Sequence, residues 1–463
     1  MNILLINPPE NFEEKKHVIR VASPPLGLMY IKEMIKDNHV EIIDLSNTDT
    51  PEKDMHSKLK SKHWDVIGVS IMSYTLPSVL HILKKIKEVC SDAFLIAGGV
   101  HASFKAEECL ELGFDSVIIG DGELVINNII ENKLKGVIKG KEISDLDSLP
   151  FPNGSIKELG DYIPSNSFPL PDKCSSIITS RGCPHDCNFC GRPKKRKHVK
   201  RSPENVLKEL IMLECEGYRN IYVVDDNFTT NLKWIKKLVD IYSKENLDMR
   251  FFCSSRVDNF TQDMAKQLKR LGVYIISFGI ESVNPEVIRF YNKYRYPERW
   301  KNLVEDALKN CNSEGIYSQA SLIVGAPMET EKIFYESYGF VKKQKPDLIN
   351  VNVLTYMIGS KIWNDAVKEG LVNQNEYSVS VLDRPDLALI EPDQIEAINR
   401  MVFDDVNKNL KRHALLKTIM HLDKFKLKIL FNWSLLNLKR KFDPQGWTLE
   451  RNELIRAGYG FGN

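Results

Sequence analysis

Ser176-Ile177-Ile178-Thr179-Ser180-Arg181-Gly182-Cys183-Pro184-His185-Asp186-Cys187-Asn188-Phe189-Cys190 is the stretch on which the reading of this chain turns. Residues 176–179 read as a short buried strand, and Gly182 and Pro184 end it in a loop. That loop carries three cysteines, separated by three and then two residues. The strand also opens a series. Further apolar runs at 220–224, 251–254, 274–279, 320–324 and 349–354 alternate with amphipathic stretches such as 203–216 and 232–243. Six strands in sequence, joined by crossover helices, predict a parallel barrel or partial barrel.

A second strand-and-helix series lies upstream. Short apolar runs at 3–6, 40–43, 66–69, 94–97 and 117–119 are separated by helical patterns, as in Val79, Ile82, Leu83, Ile86 and Val89. This predicts an open, doubly wound parallel sheet, whose ligands bind beyond the carboxyl ends of its strands. Glycine-rich turns fall there: Gly98-Gly99-Val100-His101 after one strand, Gly120-Asp121-Gly122-Glu123 after another, with Ser70 and Ser73 after a third. Residues 131–172 are weakly periodic, and Leu149-Pro150-Phe151-Pro152-Asn153-Gly154 marks a linker. The expected organisation is a Rossmann-like domain over 1–135, a linker over 136–172, a partial barrel over 173–360 and a helical region over 361–463.

Composition limits the partners. The 463 residues are 43% hydrophobic and 27% charged, a folded and not a disordered composition. Lys plus Arg number 64 against 62 Asp plus Glu, so the net charge of +2 gives no overall argument for nucleic acid. No run is long and apolar enough for a signal peptide or a membrane helix. Nine cysteines are too sparse for a disulfide scaffold, and a reduced, cytoplasmic protein is expected.

Three thiolates so close in sequence suit an iron–sulfur cube that takes four soft ligands, leaving one iron open to a small molecule. A zinc site is the competing reading. It would need a second cysteine pair or a histidine pair, and only His185 lies among the three. A disulfide conflicts with the compartment.

Cys183-x3-Cys187-x2-Cys190, with Phe189 before the last cysteine, resembles the signature of radical S-adenosylmethionine enzymes. The resemblance implies a [4Fe–4S] cluster on Cys183, Cys187 and Cys190, with S-adenosylmethionine on the fourth iron. One electron would then release a 5′-deoxyadenosyl radical that abstracts hydrogen from substrate. It also implies cofactor contacts at Phe189, at Asp225 or Asp226 near the methionine amine, at Ser254 and Arg256 near ribose or carboxylate, at Glu281 of Gly279-Ile280-Glu281-Ser282 near ribose, and at Gly325 near adenine.

Ahead of such a core, the N-terminal sheet resembles the cobalamin-binding domain of one large subgroup. This implies corrinoid contacts from Ser70, Ser73, Gly98, Gly99, His101, Gly120, Gly122 and Glu123. Residues 12–28, ending in Ser23-Pro24-Pro25-Leu26-Gly27-Leu28, resemble the subgroup's first loop. The Asp-x-His-x-x-Gly motif that supplies an axial histidine is absent, and Asn7-Pro8-Pro9-Glu10 stands in its place. His101 reads as a structural loop histidine, not as a cobalt ligand.

The resemblance implies methyl transfer from methylcobalamin to an unactivated carbon of a small-molecule, natural-product-like substrate. Reduced flavodoxin or ferredoxin would be the electron donor. Two other readings stand beside it: a radical dehydration, cyclisation, epimerisation or carbon–carbon rearrangement without catalytic cobalamin, and a non-catalytic iron–sulfur or zinc protein. An RNA methylthiotransferase would need three more N-terminal cysteines, whereas that domain holds Cys90 and Cys109.

Two basic stretches remain. Residues 192–201 carry seven Lys or Arg and read as a solvated loop before a helix capped by Ser202, or as a docking patch for an acidic donor. Residues 409–441 carry nine Lys or Arg against Asp423. They read as an amphipathic helix packed on the barrel, or as a contact for an anionic membrane or acidic partner.

Overall fold

The computed structural model describes residues 1–12, 23–152, 159, 162, 173–191 and 197–405. The basic stretch at 409–441, the C-terminal glycine-rich tail, residues 192–196 and most of the first loop lie outside the described residues. Among the described residues no helix is long and apolar enough to cross a membrane.

The N-terminal sheet consists of β1 (Asn2–Asn7), β2 (His39–Asp44), β3 (Val66–Ser70), β4 (Phe94–Gly98), β5 (Ser116–Ile119) and β6 (Gly136–Lys139). The order is β2-β1-β3-β4-β5-β6, and every pairing is parallel. The period-2 alternation of β1 builds both faces of this sheet. Leu4 and Ile6 pack with Val79, Ile82, Leu83 and Ile86 of the helix Leu76–Val89. Ile3 and Leu5 face the other way, toward the helices Leu26–Met34 and Ile126–Asn132. Strand order reverses between β1 and β3, and ligands of doubly wound sheets bind at this switch point. β6 falls in the segment read from sequence as linker. It is a short edge strand of half-exposed residues, too weakly apolar to register as a strand.

The second sheet consists of β7 (Cys174–Ile177), then, beyond a two-residue ribbon of β8 (Ser180–Arg181) with β9 (Val199–Lys200), β10 (Asn220–Val223), β11 (Arg250–Ser255), β12 (Val273–Glu281), β13 (Tyr317–Val324) and β14 (Leu348–Val353). Their parallel order follows the sequence, from β7 at one edge to β14 at the other. This is the singly wound order of a partial barrel. Its helices have ordinary caps: Ser202 caps Pro203–Cys215 through Asn205 N–H, and Thr330 caps Glu331–Lys343 through Ile333 N–H. The region beyond residue 360 is not purely helical. β15 (Thr355–Met357) pairs antiparallel with β16 (Ser378–Ser380) before the helix Pro392–Asp405.

The basic stretch after the cysteine loop also differs from expectation where it is described. Lys200 stacks 4.5 Å from the Trp234 ring centroid, and Arg201 is buried in an ion pair with Glu209. These two charges hold the β8–β9 ribbon on the barrel and are not a solvated run.

Candidate active site

The cysteine loop leaves β7 and β8 and is fastened from two sides. Asn188 N–H donates to the Tyr291 carbonyl at 2.8 Å, and the Asn188 side chain to Phe290 O at 2.7 Å. Asn292, in the left-handed conformation, donates to Asp186 O at 2.8 Å. Ile362 N–H donates to Asn188 O at 3.0 Å, tying the loop to the helix Lys361–Lys368. Backbone pinned in this way presents Cys183 and Cys187 half-buried and Cys190 exposed. Among the described residues no three His, Cys, Asp or Glu groups converge closely enough for a single metal ion.

Asp225 and Asp226, adjacent in sequence, point to different tasks. Asp225 is buried beneath β7, where it accepts from Thr179 N–H and Thr179 Oγ1, both at 2.6 Å, and from the Ser180 hydroxyl. It therefore shapes the strand end that precedes the cysteines. Asp226 is exposed and lines the cavity described below. Ser254 lies half-buried on β11, and its carbonyl accepts from Phe228 N–H at 3.1 Å.

Glu281 ends β12 with φ of +65°, a conformation rare for a residue with a side chain and held only where the surroundings enforce it. The sheet register slips there, and Glu281 is buried in an ion pair with Lys293 at 2.6 Å. Lys293 also lies 5.7 Å from the Phe189 ring centroid, and Phe189 packs edge-on to Tyr291 at 5.0 Å. Arg256 is clamped by Asp258 through two bonds of 3.0 and 2.8 Å, and it donates to the Lys293 carbonyl. Its remaining nitrogen, Nη1, donates to Cys187 Sγ at 3.4 Å. Burial alone would lower its pKa. The Asp258 carboxylate and then the Cys187 and Cys183 thiols outweigh burial, and the pKa is raised.

Gly325 follows β13 with φ of +105°, and a Cβ there would lie 2.7 Å from Val381 Cγ2. Its N–H donates at 2.9 Å to Glu329. Burial raises the Glu329 carboxyl to about 7, against the opposing pull of the Gly325 and Ala326 amides.

The N-terminal domain contributes the other wall. A cavity of about 500 Å³ opens at its switch point and reaches the barrel. Ser70, Gly98, Gly99, Gly120, Gly122 and Glu123 line it on one side. Ser180, Gly182 and Asp226 line it on the other. Gly99 has φ of +97°, and a Cβ there would sit 2.7 Å from Ile71 O, so only glycine lets this turn close. His101 and Ser73 are not on this wall. His101 is buried, its Nδ1 lies 3.1 Å from Ser73 Oγ, and its ring packs edge-on to Tyr377 of the barrel side. His101 thus lies away from the cavity lining, between Ser73 and Tyr377.

The decisive side chain that sequence reasoning left unassigned is Arg181. It leaves β8 two residues before Cys183 and reaches back to the N-terminal domain. There it pairs with Glu123 at 2.6 Å and Asp121 at 3.4 Å and stacks over Tyr30 at 5.2 Å. Lys293 was missed as well. Neither partnership has a local signature, since Arg181 lies about sixty residues from its partners and Lys293 reaches Glu281 only through the loop after β12.

A doubly wound sheet followed by a singly wound partial barrel, with three cysteines on the first barrel loop, is the arrangement that the resemblance to radical S-adenosylmethionine enzymes implies. Residues 177–341 match the radical SAM superfamily and residues 17–130 match the B12 binding domain, so the chain carries both kinds of domain in this order. An uncharacterized methyltransferase of Pyrococcus horikoshii is 29% identical over 80% of this chain and 84% of its own. The anaerobic magnesium-protoporphyrin IX monomethyl ester cyclase of Rubrivivax gelatinosus is 23% identical over 97% and 85%. The solved structure of the cobalamin-dependent S-adenosylmethionine radical enzyme OxsB with aqua-cobalamin superposes with a TM-score of 0.65 at 17% identity, covering 98% of this chain and 75% of that one.

Proposed function

We propose that this chain is a corrinoid-dependent radical S-adenosylmethionine methyltransferase acting on an unactivated carbon of a small-molecule, natural-product-like substrate. The observation that carries this reading is the shared cavity: the glycine loops of one domain and the strand ends beside Cys183 of the other bound the same space. When bound, the cluster with S-adenosylmethionine supplies a 5′-deoxyadenosyl radical, and the corrinoid supplies a methyl group.

The residues present suit both groups. Cys183, Cys187 and Cys190 offer three soft ligands on a loop pinned at both ends. Asp226 lines the cavity and is the acceptor assigned to the methionine amine, while Asp225 holds Thr179 and Ser180 at the strand end before the cysteines. Glu281 is held by Lys293 in position for a ribose, with Ser254 on the neighbouring strand. Gly325, whose missing side chain lets Val381 pack against the end of β13, is assigned to the adenine side, and Phe189 braces the cluster loop edge-on to Tyr291. Ser70, Gly98, Gly120 and Gly122 offer backbone and small side chains to a large planar ligand, and Glu123 anchors their wall to Arg181. Among the described residues no histidine lines this wall.

The thiols and cluster call for the reducing cytoplasm and a low-potential one-electron donor of the flavodoxin or ferredoxin kind. Anaerobic turnover with strong reductant should give S-adenosylhomocysteine and 5′-deoxyadenosine together. Formation of 5′-deoxyadenosine alone would sink methyl transfer. It would favour the second reading, a radical reaction without methylation, which the cyclase relative supports.

A further inference from the structure

Arg256 was expected near ribose or carboxylate, but its fixed geometry faces elsewhere. Four contacts hold the guanidinium. Asp258 takes Nε and Nη2, the Lys293 carbonyl takes Nη2, and the Trp300 ring lies 5.7 Å away. The side chain is 7% exposed, so water screens its charge poorly. Within this clamp, Nη1 is aimed at Cys187 Sγ at 3.4 Å.

We propose that Arg256 is a redox-tuning residue, whose N–H bond to Cys187 and buried positive charge raise the reduction potential of the cluster held by the three cysteines. The proposal rests on the reading of Cys183, Cys187 and Cys190 as cluster ligands. In the step concerned, a one-electron donor passes one electron to the cluster, taking it from the 2+ to the 1+ state. No bond is made or broken and no proton moves. The added negative charge spreads onto the sulfurs, so a fixed donor and cation beside one of them stabilise the reduced state more than the oxidised one. Asp258 offsets part of the charge, but its carboxylate lies on the far side of the guanidinium from the thiol. The directed N–H bond therefore keeps its effect.

The test uses the full chain, reconstituted anaerobically, with iron and sulfide content confirming a complete cluster. The midpoint potential is measured without S-adenosylmethionine by mediated titration, following the spin-resonance signal of the reduced state. Arg256→Met should shift the reduction equilibrium about tenfold toward the oxidised form, a fall of about 59 mV. Arg256→Lys, which keeps the charge and loses the fork, should recover part of it. An unchanged midpoint in Arg256→Met with a full cluster overturns the proposal, above all if S-adenosylmethionine binding weakens instead, because Arg256 is then a carboxylate ligand. If Arg256→Met does not assemble a cluster, Arg256→Lys decides, because it keeps the charge and loses the directed fork: a midpoint below wild type supports the proposal and an unmoved one overturns it. Wild type that accepts no cluster refutes the underlying reading, an outcome distinct from a full cluster with an unmoved potential.

Discussion

The two halves of this molecule meet at one cavity but build the ends of their strands by opposite means. The N-terminal wall is mostly backbone and apolar surface, with glycines where side chains would intrude and Ile3, Leu5, Val66 and Ile96 behind them. The barrel's strand ends, behind and beside that lining, carry buried charges in fixed pairs: Arg256 with Asp258, Lys293 with Glu281, Asp225 with Thr179 and Ser180. A large ligand recognised by shape needs room and close backbone approach. A cluster that must change charge needs fixed dipoles and cations around it. The contrast teaches that the first half is specified by what it leaves out, and the second by what it pairs.

The comparison can be broken most sharply by filling the first wall. A Cβ on Gly98 meets nothing within 4 Å, so a larger side chain there enters the cavity without a backbone clash. Gly98→Leu should lower corrinoid retention at least about tenfold after desalting, as in a lost shape-complementary contact, while cluster content is unchanged. Retention equal to wild type would show that this wall does not seat the corrinoid.

A smaller effect is expected at the seam. Arg181 and Glu123 are 10% and 6% exposed, so removing one partner strands a desolvated charge. Arg181→Met should cost about 3 kcal/mol in chemical denaturation. Arg181→Met with Glu123→Gln should cost less than the two singles added, because both remove the same pair. Strict additivity would mean that the halves are held together by other contacts.

The effect that is smallest at any single pH step concerns Glu329 beside Gly325. Its folded-state pKa, raised to about 7 by burial, lies above the ordinary 4.5. The folded state therefore binds the proton more tightly than the unfolded one. The stability this gives is full below about pH 4.5 and is lost as the pH rises toward 7. Wild type should lose up to ~1.4 kcal/mol per pH unit across that window relative to Glu329→Gln. Parallel stability curves would place the Glu329 carboxylate in a more polar setting than its burial implies.

Much of this was legible in one dimension. Both sheets announced themselves because buried parallel strands read as short apolar runs between amphipathic helices, while the weakly apolar edge strand β6 and the short β8–β9 and β15–β16 pairs escaped. The cysteine loop was legible because three ligands of one group must lie close in sequence when a single loop supplies them. Asp225 and Asp226 looked equivalent, since no sequence pattern tells which of two adjacent carboxylates turns inward. Arg256 looked like a ligand for S-adenosylmethionine, because the carbonyl of Lys293 and the sulfur of Cys187 approach it only through folding.

The sequence by itself thus determined the two parallel sheets, the cysteine triad and the glycine turns, all of which depend on local periodicity, spacing or backbone freedom. Only the tertiary structure decided that Arg181 joins the two domains, that Arg256 faces a cysteine, and that one cavity serves both halves. Those contacts are made between residues far apart in the chain, where electrostatic pairing and burial act across space and leave no pattern along the sequence.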